Sequence, residues 1–318
     1  MKKIVVLGGG TGLSTLLRGL KQFPLDITAI VSVADDGSSS GKLREEFNIF
    51  AVGDLRNVLV SLAEVEPLIE ELLQYRFKTN SSLDNHPMGN LLLTALYNIT
   101  GNLTESLESL SKVFNIKGRI LPFTEDNPVL VAHTKDGEVI EGESKITKAG
   151  KEIDYIEYKD KVLPTKEVLE AIEEADLIIL GIGSLYTSII PNLLSEEVRE
   201  ALKSSRAKKM YVCNIMSEHG ETDNYKTSDC IKKINSYVED DFIDLVLVNN
   251  KSVPMDIQER YLEESAKPID VDYDVLDSMN VEVIEDDLLV INDDLMVRHN
   301  PYRTALAIFN YVVKGLEE

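Results

Sequence analysis

The chain has 318 residues, 43% of them hydrophobic and 28% charged, and 55 acidic against 33 basic side chains give a net charge of −22. This charge argues against nucleic acid or an anionic membrane surface as the main partner, because both are also negative. Two cysteines outside any CxxC pair, no signal-peptide segment and no apolar run of membrane-spanning length predict a cytoplasmic protein without membrane insertion.

The first elements in chain order are a strand, a helix and a second strand. Residues 4–7 (IVVL) predict a buried strand, residues 13–21 a helix that ends near Pro24, and residues 27–33 a strand rich in β-branched side chains. The polar loop ADDGSSSG follows at 34–41, and helical patterns continue from about residue 42 to residue 114.

Residues 117–160 predict a small antiparallel β insertion, because apolar and polar residues alternate on both sides of Asp136-Gly137. Beyond it, strands at 176–183, 208–215 and 243–250 alternate with helices at 165–174, 196–203 and 228–237. Short strands at 281–285 and 288–292 precede the last helix. Its predicted apolar face consists of Tyr302, Ala305, Leu306, Phe309, Val313 and Leu316.

This alternation predicts one domain over residues 1–318, a three-layer α/β/α fold with the 117–160 insertion inside it. The sheet is expected to be mostly parallel and Rossmann-like, with about six strands and helices on both faces. Ligands of such sheets bind at the carboxyl ends of the strands. The polar loops that follow the strands should therefore converge on one edge.

The loop after the first strand, GGGTG, places four glycines in residues 8–12. Such a cluster is typical of close approach between the backbone and a phosphate at a helix N-terminus. Gly8 and Gly10 fit the first two glycine positions of the dinucleotide fingerprint, but Leu13 occupies the third. This mismatch weakens the interpretation of the chain as a nicotinamide-dependent oxidoreductase. The Gly-Lys-Ser/Thr ending of a Walker A phosphate-binding loop is missing. A tight turn from strand to helix that binds no ligand is the simpler alternative.

The next loop, VADDGSSSGKLREE, combines paired carboxylates with basic residues. Asp35 and Asp36 could hold Mg²⁺ through hard oxygen ligands, and Lys42 and Arg44 could neutralise phosphate charge. A polar loop that caps a helix is the alternative.

Several later loops carry weaker signals, each with a capped or solvated turn as its plainer interpretation. GDLRNVL contains Asn57, DNHPMGN contains Asn90, and GIGSLYTS presents Gly183 and Ser184 in a second glycine-hydroxyl loop. NIMSEHGETD contributes Asn214 and Asp223, and VRH places Arg298 before the last helix as a phosphate-clamp candidate.

These motifs, in this order from residue 3 to the last helix, resemble the 2-phospho-L-lactate transferase (CofD) superfamily, most closely its gluconeogenesis-factor (YvcK-like) branch. The resemblance implies a nucleotide-linked ligand in the cleft. In the transferase branch a guanosine-diphosphate-activated phospholactate is the donor, a deazaflavin is the acceptor, and Mg²⁺ takes part. In the YvcK-like branch no reaction is established, and members bind UDP-sugars such as UDP-N-acetylglucosamine and are required for gluconeogenic growth and normal cell shape.

The resemblance also assigns residues. Gly10, Thr11 and Gly12 would line the diphosphate, and Arg298 would contact the nucleotide-sugar. Asp35 and Asp36 match the paired acids, which would be the metal ligands and, in an enzyme, the catalytic residues. The full set of ligand-binding candidates is Gly9, Gly10, Thr11, Gly12, Asp36, Lys42, Asn57, Asn90, Gly183, Ser184, Asn214, Asp223 and Arg298. The leading hypothesis is a nucleotide-sugar-binding regulator, which could be a homo-oligomer. The alternative is a Mg²⁺-dependent transferase of a phospho-acid group, and whether any reaction is catalysed stays open.

Overall fold

A computed structural model of the protein describes residues 1–314 and is built on a seven-stranded, wholly parallel sheet. The strands are β1 (Lys2–Gly8), β2 (Leu25–Val31), β3 (Arg119–Pro122), β4 (Leu130–Thr134), β5 (Val139–Glu141), β6 (Ile153–Tyr158), β7 (Leu177–Leu180), β8 (Lys208–Val212), β9 (Leu245–Asn249), β10 (Glu282–Asp286), β11 (Leu289–Ile291) and β12 (Val297–His299).

The α-helices are α1 (Gly10–Leu20), α2 (Ser38–Phe47), α3 (Gly53–Leu62), α4 (Pro67–Gln74), α5 (Met88–Thr100), α6 (Leu103–Val113), α7 (Glu143–Ala149), α8 (Lys166–Glu173), α9 (Glu196–Ser204), α10 (Thr227–Val238), α11 (Met255–Glu263), α12 (Tyr273–Ser278) and α13 (Pro301–Lys314). A π-helical turn (Leu185–Ile189) and a 3₁₀ turn (Ile190–Leu193) follow β7. None of the helices in residues 1–314 is both long enough and apolar enough to span a membrane.

The strand order places the topological switch point beside β1. The order is β10-β9-β8-β7-β1-β2-β3, so the chain builds outward from β1 to β3 and then returns to the other side of β1 with β7. In open parallel sheets, ligands bind in the crevice beyond the carboxyl ends of the two strands at such a point. Here those strands are β1 and β7, which are followed by GGGTG and GIGS respectively.

Two hydrophobic cores cover the two faces of the sheet, which explains why its strands read as continuous apolar runs. In β1, Ile4 and Val6 point into a core with α1, α3, α6 and α13, while Val5 and Leu7 point into a core with α8, α9, α10 and the insertion. The three-layer α/β/α prediction is therefore confirmed.

Three details of the sequence prediction differ from the structure. The sheet has seven strands rather than about six, and the additional edge strand is β3, which pairs with β2 although it lies within the predicted 117–160 insertion. The antiparallel part of that segment consists of β4, β5 and β6, with α7 between β5 and β6. The third difference concerns the last helix.

The predicted apolar face of α13 is only partly right. Ala305 is buried and Phe309 packs against the core as predicted, but Tyr302, Leu306 and Val313 are exposed. Ile308 and Val312 are buried in their place. The reason is the close approach of α1, where a Cβ on Gly19 would contact the backbone carbonyl of Pro301 and the Ala305 side chain. A small side chain is therefore required at position 305, where α13 meets Gly19. Leu316 lies outside the described residues.

Candidate functional site

The glycine loop after β1 packs directly against the loop after β7. A Cβ on Gly12 would lie 2.5 Å from the carbonyl oxygen of Ile182, and one on Gly183 would lie 2.9 Å from the Ser188 Cβ. Gly10 adopts a left-handed φ of +67°, which also favours glycine. The loops that follow β1 and β7 therefore touch each other at glycine positions. Larger side chains at these positions would push the two loops apart.

Asp54 in α3 binds the start of α1. The Gly10 N–H donates to Asp54 Oδ2 with an N···O distance of 2.6 Å, and the Asn57 side chain also bonds to this carboxylate. Burial, and then the charge of Asp35, raises the pKa of Asp54 to about 6. Asn57 Oδ1 in turn accepts from Arg56 Nη2 at 2.6 Å. The candidate Asn57 is therefore placed one step behind the loop, where it orients Asp54.

The paired acids predicted for metal binding have different surroundings. Asp35 Oδ1 accepts the Gly37 N–H at 2.8 Å, and its other oxygen lies close to Gly53 at the start of α3, beside Asp54. Asp36 instead accepts the Ser144 N–H at 2.8 Å, in the first turn of α7. Asp36 thus connects the loop to the insertion. The charge of Asp35 contributes to the raised pKa of both Asp54 and the buried Glu143 of α7, in each case after burial.

The two basic residues of this loop also differ. Arg44 donates to three backbone carbonyls: Nη1 to Ala34 (3.1 Å) and Asp35 (3.0 Å), and Nη2 to Pro128 (2.9 Å). It holds the loop in place and is not free to bind phosphate. Lys42 is exposed and lies near His86.

Asn90 belongs to a buried polar cluster with His86 and Ser39. Asn90 Nδ2 donates to Ser39 Oγ at 3.1 Å, so the Ser39 hydroxyl can donate its own hydrogen to His86 Nδ1, which lies 2.8 Å away. Burial lowers the pKa of His86 and favours this neutral form. The cluster joins α2 to the start of α5 behind the DDGS loop.

The principal cleft at the switch point has a volume of about 490 Å³ and is open to solvent. It brings together six of the predicted residues, which are Thr11, Gly12, Gly183, Ser184, Asn214 and Arg298. Asn214 Nδ2 donates to the Gly183 carbonyl at 2.9 Å, which fixes the loop after β8 against the loop after β7.

Arg298 is the cationic side chain of this cleft. It is exposed in β12, and its guanidinium donates to the Val297 carbonyl (3.0 Å) and to the sulfur of Met296 (3.8 Å). Within residues 1–314 it forms no ion pair with a carboxylate at 4.0 Å or less, although that part of the chain is strongly acidic. The neighbouring His299 is buried, donates Nε2–H to the Cys213 carbonyl (3.1 Å) and has its pKa lowered to about 4 by burial, so it is neutral.

Two glutamates that were not among the predicted site residues lie beside this cleft. Burial raises the pKa of Glu218, and its bond to Ser184 and the charge of Arg298 oppose that shift. Burial and the charge of Glu218 raise the pKa of Glu221 to about 8. Glu221 accepts the Tyr186 N–H (2.7 Å) and the Thr187 hydroxyl (2.8 Å), and so holds the π-helical turn after β7. The signal for both was the SEHGETD motif.

Seven predicted residues do not line the cleft: Gly9, Gly10, Asp36, Lys42, Asn57, Asn90 and Asp223. Asp223 lies in the loop after β8. Its carboxylate accepts the Gly220 N–H at 2.6 Å and bonds to His219 Nδ1 at 3.1 Å. It shapes the loop after β8 and faces depressions on the outer side of that loop.

A second cavity of about 570 Å³ adjoins the principal cleft beyond β8 and β9 and shares Asn214 and Ile215 with it. Its polar lining includes Asn249, Asn250 and Lys251, which follow β9. Asn214 and Ile215 therefore lie between the two cavities, both of which are at the carboxyl edge of the sheet.

In residues 1–314, no group of three or more His, Cys, Asp or Glu side chains is arranged to hold a metal ion. Mg²⁺ commonly takes only one or two protein carboxylates and completes its shell with water and substrate phosphates. Asp35 and Asp54, beside the glycine loop, fit that donor set.

The comparisons with known proteins agree with one another. The model of the family described as 2-phospho-L-lactate transferase CofD matches residues 4–289. The gluconeogenesis factor of Bacillus subtilis is 46% identical over 304 residues, which cover 95% of this chain and 96% of that protein. The putative gluconeogenesis factor of Thermotoga maritima is 47% identical over 271 residues, covering 85% and 86%.

A crystal structure of a Bacillus halodurans protein matches with a TM-score of 0.93 at 46% identity, covering 97% of this chain and 99% of that one. The chain therefore belongs to the CofD family, in which it is similar over nearly its whole length to relatives named gluconeogenesis factor.

Proposed function

We propose that this protein binds a nucleotide-sugar, such as UDP-N-acetylglucosamine, in the two cavities at the carboxyl edge of the sheet. The observation that carries this proposal is the cleft in which Arg298, unpaired with any described carboxylate, faces the glycine loops of β1 and β7. An unpaired guanidinium in a chain of net charge −22 is suited to a ligand that brings its own negative charge.

The diphosphate would lie between Arg298 and the first turn of α1. The cleft is lined there by Thr11 and Gly12, where helix N–H groups and the positive end of the helix dipole favour an anion. The hydroxyls of Thr11 and Ser184 add donors that need no charge.

The size of the two cavities supports a ligand with two ends. The cavities of about 490 and 570 Å³ share Asn214 in their lining, so a diphosphate near Asn214 could extend a nucleoside into one and a sugar into the other. Each volume is within the range of small-molecule sites, roughly 300–1,000 Å³.

The proposed role is that of a regulator needed for growth on gluconeogenic carbon sources and for normal cell shape. Its support is the similarity to proteins named gluconeogenesis factor. In this role the ligand is sensed, and no turnover is required.

Calorimetric titration with UDP-N-acetylglucosamine, GDP and NADH tests the proposal. We expect selective binding of the UDP-sugar, weakened about 10- to 100-fold in Arg298→Ala by loss of charge-assisted hydrogen bonds. Arg303→Ala is the matched control, because Arg303 is exposed nearby but paired with Asp287 at 2.7 Å. Failure of every UDP-sugar to bind the wild type, or equal weakening in both variants, would contradict the proposal.

A second candidate is a transferase that moves a phospho-acid group from a nucleoside-diphosphate donor to an acceptor hydroxyl. The new phosphate–oxygen bond to the acceptor replaces the broken diphosphate bond, the nucleoside monophosphate leaves, and the proton of the hydroxyl is released to solvent. This candidate is favoured by Asp35 and Asp54, two carboxylates beside the glycine loop. They would hold Mg²⁺, which when bound neutralises phosphate charge. The chain would contribute by orienting the donor, with Arg298 stabilising charge on the leaving phosphate.

The transferase candidate is tested by release of nucleoside monophosphate from GDP- or UDP-linked donors in the presence of Mg²⁺ and an acceptor hydroxyl such as that of a deazaflavin. We expect Asp54→Asn to abolish any turnover while Arg303→Ala retains it. Turnover that is unchanged in Asp54→Asn would exclude this use of the carboxylates.

A further inference from the structure

Glu218 and Arg298 bring opposite charges into the principal cleft. Both side chains line it, Glu218 from the loop after β8 and Arg298 from β12. The charge of Arg298 acts on the Glu218 carboxyl, yet no N···O distance between these two described side chains is 4.0 Å or less. The two charges therefore face the same space without neutralising each other through a direct contact.

The loop that carries Glu218 is fixed by hydrogen bonds on both sides of this residue. The Glu218 N–H donates to the Thr222 hydroxyl (2.8 Å), and the Glu218 carbonyl accepts the N–H groups of Thr222 (2.9 Å) and Glu221 (3.1 Å). The Ser217 N–H donates to the Lys267 carbonyl (2.7 Å), and Ser217 Oγ accepts the Lys267 N–H (2.9 Å). The backbone of Glu218 thus has a set position in the cleft wall before any ligand binds, which lowers the entropy cost of a contact with its carboxylate.

Of the two glutamates beside the cleft, Glu218 is the one that presents a negative charge to it. Burial and the charge of Glu218 raise the pKa of Glu221 to about 8, so Glu221 is mostly protonated at pH 7. Burial also raises the pKa of Glu218, but its contact with Ser184 and the charge of Arg298 oppose that shift. A ligand in the cleft therefore meets a carboxylate at Glu218, whereas the carboxyl of Glu221 is turned toward the loop after β7.

We propose that Glu218 selects nucleotide-sugars whose sugar is uncharged, and that this sugar lies in the principal cleft beside Ser184. The inference rests on the proposed function, nucleotide-sugar binding, and adds the class of sugar and its place. A carboxylate accepts hydrogen bonds from sugar hydroxyls and amide N–H groups, and it repels another carboxylate or phosphate. Arg298 thus attracts the diphosphate, while Glu218 rejects a ligand that carries further negative charge next to it.

The lining of the two cavities supports this placement. Beside the carboxylate, the principal cleft presents the hydroxyls of Thr15, Thr147 and Ser184, which suit the hydroxyls of a sugar. The second cavity instead presents the amides of Asn250 and Gln258, which suit the donors and acceptors on the edge of a base. The sugar is therefore assigned to the principal cleft and the nucleoside to the second cavity.

The size of a sugar ring sets how strongly Glu218 discriminates. A charged group anywhere on a ring that touches Glu218 lies within about 8 Å of it, which is the Debye length at physiological ionic strength. At that range, in a partly buried site, repulsion between like charges weakens binding by about 10-fold or more. The same repulsion opposes the donor of the second candidate function, because a phospho-acid group carries a carboxylate.

Calorimetric titration with UDP-N-acetylglucosamine and UDP-N-acetylglucosaminuronate tests this inference. The two ligands share the nucleoside, the diphosphate and the amide, and differ only in the hydroxymethyl group, which is a carboxylate in the second. We expect the wild type to bind the neutral ligand at least about 10-fold more tightly, and Glu218→Gln to narrow this ratio to about 3-fold or less. Glu263→Gln is the matched control and should keep the wild-type ratio, because Glu263 is exposed on α11 and does not line the cleft.

The possible outcomes separate this inference from the proposed function. A wild type that binds neither ligand removes both. A wild type that binds the charged ligand as tightly as the neutral one is still a nucleotide-sugar-binding protein, but selection by Glu218 is overturned. The same holds if Glu218→Gln keeps the wild-type ratio, or if Glu263→Gln narrows it equally. Thermal unfolding checks that Glu218→Gln is folded, and the wild-type ratio is decisive without any variant.

Discussion

Replacing Gly12 by alanine separates the two explanations for the glycine loop, ligand approach and packing. A Cβ at this position would lie 2.5 Å from the carbonyl oxygen of Ile182 and 2.8 Å from its carbon. Both atoms are backbone and belong to the loop after β7, so no flexible side chain can move to make room. The start of α1 must shift away from β7.

The magnitude follows from two opposing effects. Overpacking against a rigid neighbour costs about 1–3 kcal/mol. Alanine inside a helix is about 1 kcal/mol more favourable than glycine. Because the contact at 2.5 Å is with backbone, the overpacking cost lies in the upper part of its range, about 2–3 kcal/mol. We therefore expect Gly12→Ala to lower the free energy of unfolding by about 1–2 kcal/mol, and Tm by about 2–6 °C.

The assay is thermal and urea unfolding without ligand, with Gly8→Ala as the matched control. Gly8 lies in the same loop, but a Cβ there would meet nothing closer than 3.7 Å, at the Leu13 side chain. Gly8→Ala should stay within about 0.5 kcal/mol of the wild type. Equal stability of Gly12→Ala and Gly8→Ala would refute the packing explanation.

Three further substitutions test the surroundings of the site. Glu221→Gln should flatten the pH dependence of unfolding. The pKa of Glu221 is raised from 4.5 to about 8, so protonated Glu221 stabilises the folded state fully below pH 4.5, and this stabilisation is lost as pH rises through 8. If the free energy of unfolding depends on pH equally in the wild type and in Glu221→Gln, this explanation is contradicted. Arg44→Lys should cost about 1–3 kcal/mol, measured by urea unfolding, because an ammonium cannot make the three carbonyl contacts, while nucleotide-sugar affinity stays unchanged. Asp36→Ala should cost about 0.5–2 kcal/mol by freeing the Ser144 N–H, and hydrogen exchange should quicken in α7 but not in β1.

The sequence was sufficient to predict the layers and the edge on which the site lies. Continuous apolar strands alternate with amphipathic helices, and this pattern has few solutions other than a covered parallel sheet. Because polar loops follow β1, β2, β7, β8 and β9, their meeting at one edge follows from parallelism alone.

Features that depend on distant packing were missed. Arg119–Pro122 is only four residues long and ends in proline, so nothing local distinguishes this edge strand from the hairpin insertion that follows it. In α13 two apolar stripes compete, and the close approach of Gly19 decides which of them is buried. Neither constraint can be found within a local window of sequence.

The site shows the same division. Asp35 and Asp36 are equivalent in the sequence, but one lies beside Asp54 and the other binds the start of α7. Asp54 itself lies 44 residues from Gly10, so its bond to that N–H was not predictable from spacing. Arg44 was predicted as a phosphate ligand because its charge can be read from the sequence. The three backbone carbonyls to which its guanidinium donates cannot be inferred from the sequence.

The glycines in GGGTG are therefore required for more than one structural reason, and these reasons restrict the positions at which an anion could bind. Gly12 is required by the Ile182 backbone, and Gly10 by its left-handed φ. The Gly10 N–H is already bound to Asp54, so a carboxylate lies beside the first turn of α1 and repels a diphosphate placed directly over it. An anion bound by the proposed site would therefore lie toward Thr11, Gly12 and Arg298, on the side that faces the cleft, unless a cation lay between it and Asp54. The distinction between a sensor and a transferase thus reduces to whether nucleotide binding depends on Mg²⁺ and on Asp54, or on Arg298 alone.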